Sequence, residues 1–273
     1  MAVLATDAVV LHAFDYLETS RIYRLLTREA GVQSVLARGA RRPKSRYGSA
    51  VDLFAEGEAQ LSIRPHRELQ TLTSFDVTRA RAGLAGSLER FTGAAAIAEL
   101  ALRFARDDAQ PALYDAVRDT LDAILLSGSE PGRSRDAALA GAWHIVTCLG
   151  FAPTVDACSM CDAPVPGAER AQFSHTGGGV LCASCGAARR GNRVLPVAAR
   201  DALRAWIKGE EWALADDGEG RAHQRLLREF LAEHLMEGRS LRAFEVWERS
   251  AWRSTPHAPV AETPDLAPPS LSR

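Results

Sequence analysis

Over the first 78 residues the apolar positions recur with a period of two, in short runs broken by polar turns. Val9, Val10 and Leu11 close a β-forming stretch that begins at Thr6. Ser20 to Arg28 alternates, with Ile22, Arg24, Leu26 and Arg28 on one side and Arg21, Tyr23, Leu25 and Thr27 on the other. Glu29-Ala30-Gly31 reads as a turn and Val32 to Ala37 as the returning strand of a hairpin. Ala50 to Phe54, Glu58 to Ile63 and Leu69 to Phe75 supply further strands. Five or six short strands in so few residues predict a small antiparallel barrel, for which the OB-fold is the commonest solution.

From about Arg79 the period becomes helical. Leu88, Phe91, Ala95, Ala98, Leu102 and Ala105 recur every three or four residues and predict a helix over 88–106 with that stripe in the core. Pro111 suits a first helical turn, and Leu113, Val117, Leu121, Ile124 and Leu125 share one face behind it. Ser134 is placed to cap a third helix carrying Leu139, Trp143, Val146 and Leu149 and ending at Gly150. Two more helices follow, over 197–207 and from about His223, the latter with Leu226, Leu227, Phe230, Leu231, His234 and Leu235 on one face. His234 among leucines reads as a satisfied, partly buried side chain. The chain thus divides into a barrel (1–78), a helical domain in two parts (79–150 and 189–253) around an insert (151–188), and a tail (254–273) whose five prolines and scarce apolar residues predict disorder. The fold class is α+β and multidomain.

The insert carries the strongest chemical signal. Cys158-Ser-Met-Cys161 and Cys182-Ala-Ser-Cys185 stand twenty residues apart. Two such knuckles can face each other around one Zn²⁺ with Zn–S near about 2.3 Å and sulfurs about 3.7 Å apart. Between them, Pro164 and Pro166, a short extended piece at 172–174 and Gly177-Gly178-Gly179 turn the chain back on itself. Four thiolates leave no open coordination position, so Cys158, Cys161, Cys182 and Cys185 predict one structural zinc ion. A zinc deaminase would need His-x-Glu ahead of Pro-Cys-x-x-Cys. His66-Arg67-Glu68 lies some ninety residues upstream, and Ala157 precedes Cys158. Arg189, Arg190 and Arg193 either balance the site's negative charge or are ordinary solvated side chains.

Composition narrows the class. The 273 residues are 47% hydrophobic and 25% charged, with a net charge of −1, as in an ordinary globular protein. Four of five cysteines fall in the metal pattern, and Cys148 sits in an apolar helical segment as a small core residue. Met1 to Phe14 has no basic leader and is interrupted by Asp7 and His12, and no apolar run reaches membrane-spanning length. A cytoplasmic protein is expected.

The neutral average hides one cluster. Between Ala30 and Val51 there is no acidic residue, yet Arg38, Arg41, Arg42, Lys44 and Arg46 fall within nine positions. Gly39, Pro43 and Gly48 make this a loop between strands. Arginine forks bind phosphate bidentately, and each contact releases counterions. Tyr47 could stack on a base. A solvated loop with no ligand is the plain alternative. No catalytic constellation accompanies it: there is no Walker loop, no Gly-x-Ser-x-Gly elbow around Ser184, and Asp107-Asp108 and Asp216-Asp217 are adjacent pairs without partners.

From about Thr6 to Trp247 the chain resembles the RecO family of bacterial recombination mediators. The resemblance is carried by Leu149-Gly150-Phe151-Ala152-Pro153, the two cysteine knuckles, Phe173-Ser174 and Gly178-Gly179-Val180-Leu181. It extends to Ser20-Arg21-Ile22, Leu26-Thr27-Arg28-Glu29, Ala37-Arg38-Gly39-Ala40-Arg41-Arg42 and Leu241-Arg242. It implies an OB-fold, a helical domain interrupted by a zinc module, and no nucleotide hydrolysis. It also implies binding of single- and double-stranded DNA, annealing of complementary strands, contact with RecR and with the C-terminal tail of the single-strand binding protein SSB, and help in loading RecA. Carried over by position, Arg38, Arg41, Arg42, Lys44 and Arg46 would contact phosphate, in a nucleoid-associated protein with no membrane partner. A zinc-stabilised adaptor for an acidic protein and a nucleic-acid-modifying enzyme with a hidden site remain the other two classes.

Overall fold

The computed structural model describes residues 2–250 apart from 43, 44, 46, 48–50, 129–131 and 237–239. The proline-rich tail, Lys44 and Arg46 therefore lie outside the described residues.

Five strands form the N-terminal unit: β1 (Ala2–Tyr16), β2 (Ser20–Thr27), β3 (Gly31–Ala37), β4 (Glu56–Ile63) and β5 (Leu69–Arg79). They pair in the order β1-β2-β3-β5-β4, and β4 returns to β1, giving an OB-like barrel. The β3–β5 seam is parallel and only three residue pairs long. β1 serves two neighbours because a bulge between Val10 and His12 bends it: its first half pairs with β4 and its second with β2. Ala8, Val10, Tyr23, Leu25, Val35, Leu61, Leu72 and Phe75 fill the interior.

One expectation for the barrel changes. No strand forms from Val51 to Phe54. Phe54 instead takes a left-handed φ of 67°, and Val10 bonds to two successive residues there: Phe54 N donates to Val10 O (2.8 Å) and Val10 N donates to Ala55 O (2.9 Å). β2, with Ile22, Arg24 and Leu26 on one side and Arg21, Tyr23, Leu25 and Thr27 on the other, is largely buried on both. Tyr23 and Leu25 point into the barrel, while Leu26 joins Val9 and Leu11 in the core shared with the helices.

Seven helices follow among the described residues: α1 (Leu88–Phe104), α2 (Pro111–Leu126), α3 (Arg133–Cys148), α4 (Ala183–Ala187), α5 (Val197–Ile207), α6 (Asp217–His234) and α7 (Arg242–Ser250). α2 buries the predicted face. α1 buries its predicted stripe only in part: Ala98 is in the core, but Leu88 is 65% exposed and Phe91 38%, and Ala94, Ile97, Leu100 and Ala101 join the core beside Ala98. Small residues there let α2, α3 and α7 approach closely. α3 begins one residue before Ser134, which is itself buried, and its N-cap is Gly132 at φ 82°. α6 starts six residues before the expected start at His223, because the Asp216 carboxylate accepts from the Glu219 amide at 2.9 Å. Phe230 of α6 packs on Trp143 of α3 with ring centroids 5.2 Å apart.

Polar contacts tie barrel to helices. Arg81 is completely buried; it donates to Glu56 Oε2 (2.7 Å), Asp122 Oδ1 (2.7 Å) and the Phe54 carbonyl (3.0 Å). Arg28 grips Asp115 with two bonds, of 2.6 and 3.0 Å. Gly31, at φ 61°, lies so close to the α1–α2 loop that a Cβ would stand 2.4 Å from the Arg106 carbonyl oxygen. None of the described helices is long and apolar enough to cross a membrane.

Candidate metal centre and nucleic-acid surface

The insert is built on a three-stranded sheet in the order β7 (Gly179–Leu181), β6 (Ala171–Ser174), β8 (Arg193–Leu195). Phe173 anchors β6 in the core against Phe230. The β6–β7 hairpin carries the chain into Cys182, which caps α4, and α4 in turn presents Cys185. The first knuckle is held to β7 by Ser159 N to Val180 O (2.9 Å), and to itself by Cys158 N to Ala163 O (2.8 Å) and Asp162 N to Cys158 O (2.9 Å). Gly179 is required: a Cβ there would meet the Thr154 carbonyl oxygen at 2.4 Å.

These supports bring the four sulfurs of Cys158, Cys161, Cys182 and Cys185 within 4.8 Å of one another. Cys161 lies 3.7 Å from both Cys182 and Cys185, the edge expected for sulfurs about 2.3 Å from a tetrahedral centre. All are free thiols rather than disulfides. Burial raises the Cys158 pKa, but backbone amides of Cys182, Met160 and Cys161 aim at its sulfur and bring it down to about 6. Cys185 is pushed up to about 12 by the sulfurs of Cys182, Cys161 and Cys158. Four thiolates at this spacing repel one another strongly, and a cation at their centre removes that repulsion. The donor set can hold a metal ion.

The module's anchor to the helices went unseen in the sequence. Arg200 of α5 is fully buried, and its guanidinium donates to the carbonyls of Val155 (2.7 Å), Val165 (2.7 Å) and Pro166 (2.6 Å), clamping the segment that contains the first knuckle. The only signal was an arginine flanked by Ala199, Ala202 and Leu203 on an apolar helix face. His234 does find a partner, its Nε2 lying 2.6 Å from the His175 carbonyl oxygen. Arg193 pairs with Glu229, while Arg189 and Arg190 are exposed. Cys148 is half-buried, and burial raises its pKa.

Arg38, Arg41 and Arg42 all project into solvent from the turn that leaves β3. The turn is docked on the β1–β2 connection by Arg41 N to Thr19 O (3.0 Å), and the Arg41 guanidinium lies 3.4 Å from Asp15. Tyr47 sits elsewhere. Only 3% exposed, it joins the barrel interior and its hydroxyl donates to the Leu72 carbonyl at 2.8 Å, so its ring is not presented for stacking. His66 stands on the β4–β5 turn, in a different unit from the four sulfurs.

Residues 1–81 match the family model described as Recombination protein O N terminal, and residues 85–242 match that of Recombination protein O C terminal. The chain belongs to the RecO family. Among RecO relatives named DNA repair protein RecO, that of Anaeromyxobacter sp. (strain K) is 37% identical over 245 residues, covering 86% of this chain and 92% of its own length. That of Myxococcus xanthus (strain DK1622) is 31% identical, over 88% of this chain and 94% of its own. That of Rhodopirellula baltica is 36% identical over 201 residues, 72% of each chain. The matches span both the barrel and the cysteine-bearing helical part, so the RecO assignment rests on the whole arrangement rather than on the cysteines alone.

Proposed function

We propose that this RecO-family chain is a DNA repair and recombination mediator. It binds single- and double-stranded DNA, anneals complementary strands and, with RecR, helps RecA load on DNA coated by SSB, whose C-terminal tail it contacts. The observation that carries this reading is the exposed trio Arg38, Arg41 and Arg42 on one turn of an OB-like barrel, with a single aspartate near Arg41. Lys44 and Arg46 extend the same basic run in sequence. The chemistry needs no covalent step. Two DNA strands repel each other, and neutralising phosphates on both lowers the barrier to pairing. The protein acts as a non-enzymatic binder in the cytoplasm, associated with the nucleoid.

In this reading the metal is one Zn²⁺ held by Cys158, Cys161, Cys182 and Cys185. With all four positions taken by protein it supports folding and takes no part in a reaction. The test is fluorescence anisotropy with labelled single-stranded DNA across a salt series, wild type beside Arg41→Glu/Arg42→Glu. If all five basic residues neutralise phosphates, the log–log salt slope contributed by the loop is about −3.5. The double variant should bind and anneal more weakly with the fold intact. Unchanged affinity would move the DNA to another surface, and no binding by either protein would favour the adaptor reading.

A further inference from the structure

The barrel has an exposed aromatic face that the reading above leaves unused. The bulge between Val10 and His12 shifts the alternation of β1: Val9 and Leu11 face the helices, Ala13 packs against the barrel interior, and His12, Phe14 and Tyr16 are left together on the outside. Phe14 is 44% exposed and Tyr16 41%, and the His12 and Phe14 rings lie 5.8 Å apart. Leu17, at the tip of the following turn, is 76% exposed.

Cross-strand pairing extends this face over the neighbouring strands. His12 stands opposite Arg24, which stands opposite Ser34; Phe14 stands opposite Ile22, which stands opposite Leu36; Tyr16 stands opposite Ser20. Arg24 is thus the charge at the His12 end of an aromatic and aliphatic surface. Its Nε is buried with no hydrogen-bond partner, and no carboxylate among the described residues lies within ion-pairing distance of it. Asp15, on the alternate side of β1, is already engaged by Arg21 and Arg41. Burial and the Arg24 charge both lower the His12 pKa, so at neutral pH its ring is an uncharged flat surface.

We propose that His12, Phe14 and Tyr16 on the outer face of β1, with Arg24 of β2 beside His12, form a stacking platform for the unpaired bases of a single-stranded nucleic acid. The proposal rests on the reading that the Arg38–Arg42 turn binds the phosphate backbone, and it assigns the bases a surface of their own. Three features favour bases over an apolar protein partner. Alternate side chains on a strand recur about every 6.6 Å, close to twice the base rise of about 3.4 Å, as for bases drawn apart around an inserted ring. An unpaired guanidinium at one end of a row of aromatic rings suits a phosphate or a base edge better than an aliphatic side chain. Finally, the arginine turn is hydrogen-bonded to the β1–β2 connection, so a backbone held there can lay its bases on this face.

The test compares two ligands of equal length, about 15 nucleotides: an oligothymidylate and an abasic deoxyribose-phosphate chain. Each is titrated against wild type, Phe14→Ala/Tyr16→Ala and the milder Phe14→Leu/Tyr16→Leu, with circular dichroism confirming that the variants remain folded. Wild type should bind oligothymidylate at least about tenfold more tightly than the abasic chain. Both variants should lose most of that preference while keeping the abasic affinity and its salt slope. Equal wild-type affinity for the two ligands, or variants that keep the preference, would overturn the platform and leave the arginine reading standing. Failure of wild type to bind either ligand would overturn both.

Discussion

The Nε of Arg200 lies 2.7 Å from the carbonyl oxygen of Val155, forty-five residues earlier in the chain. With its other nitrogens on Val165 and Pro166, this side chain closes a loop around the first cysteine knuckle. Burying a guanidinium costs solvation, and three carbonyl acceptors offset that cost while gaining the donors they would otherwise lack.

Replacing Arg200 should therefore loosen the metal module. Arg200→Met strands the buried carbonyls of Val155 and Val165 and frees that of the exposed Pro166, and should cost about 3 kcal/mol. Arg200→Lys should recover only part, because a compact ammonium cannot span three acceptors as the planar fork does. Urea unfolding measures the loss, and release of the metal ion to a chelator should be faster in both variants. Wild-type unfolding and release rates in Arg200→Met would show that the clamp is dispensable.

Cys182→Ser removes one of four converging sulfurs and the sulfur of the residue that caps α4. Bound metal should fall well below one ion per chain by elemental analysis, and a loss of about 2 kcal/mol would lower Tm by roughly 4–8 °C. A variant that keeps one metal ion and an unchanged Tm would refute the four-sulfur site.

His223 sets a pH dependence. Its ring packs edge-on against Trp206 at 4.7 Å, 2% exposed, and burial lowers its pKa from 6.5 to about 4. The folded state thus resists protonation that the unfolded chain accepts. The stability tied to the neutral ring is fully present above pH 6.5 and is lost as the pH falls towards 4. Each pH unit in that window is worth about 1.4 kcal/mol, or about 3 kcal/mol in all. His223→Phe should lack this component, so the stability difference between the two proteins should narrow or reverse in its favour as pH drops from 7 to 4.5. A parallel pH dependence in the two would exclude His223 as the source.

Glu99 supplies a cap from outside the helix it serves. Its carboxylate accepts the amides of Arg242 (3.0 Å), Ala243 (2.8 Å) and Phe244 (3.1 Å), the first three of α7. Glu99→Ala should cost about 1–2 kcal/mol and Glu99→Gln less, since an amide oxygen can still accept. Hydrogen exchange of the α7 amides should accelerate in the same order, whereas unchanged protection in Glu99→Ala would mean that Phe244 and Trp247 alone hold the helix.

Much of this protein is legible along the chain because its signals are local. Period-two runs placed β1 to β5, period-3.6 runs placed α1 to α3 and α5, and two Cys-x-x-Cys knuckles twenty residues apart announced the four-sulfur cluster before any coordinates. The order of these parts carried the family resemblance that the comparisons bear out. The sequence could not say what each face meets. Ile22, Arg24 and Leu26 share a side of β2, yet Leu26 enters the helical core while Arg24 stands opposite the exposed His12, because the helices cover only part of the barrel. Tyr47, in a basic loop, is drawn into the barrel by a carbonyl twenty-five residues away. Leu88 and Phe91 fit a helical stripe, but small residues one step round the helix let α1 pack more closely, and those took the core. Arg200 and Glu99 find their partners 34 to 145 residues distant. Periodicity sets which side chains share a face. Only the packing of one element on another decides which face is buried, and which buried polar group finds its partner.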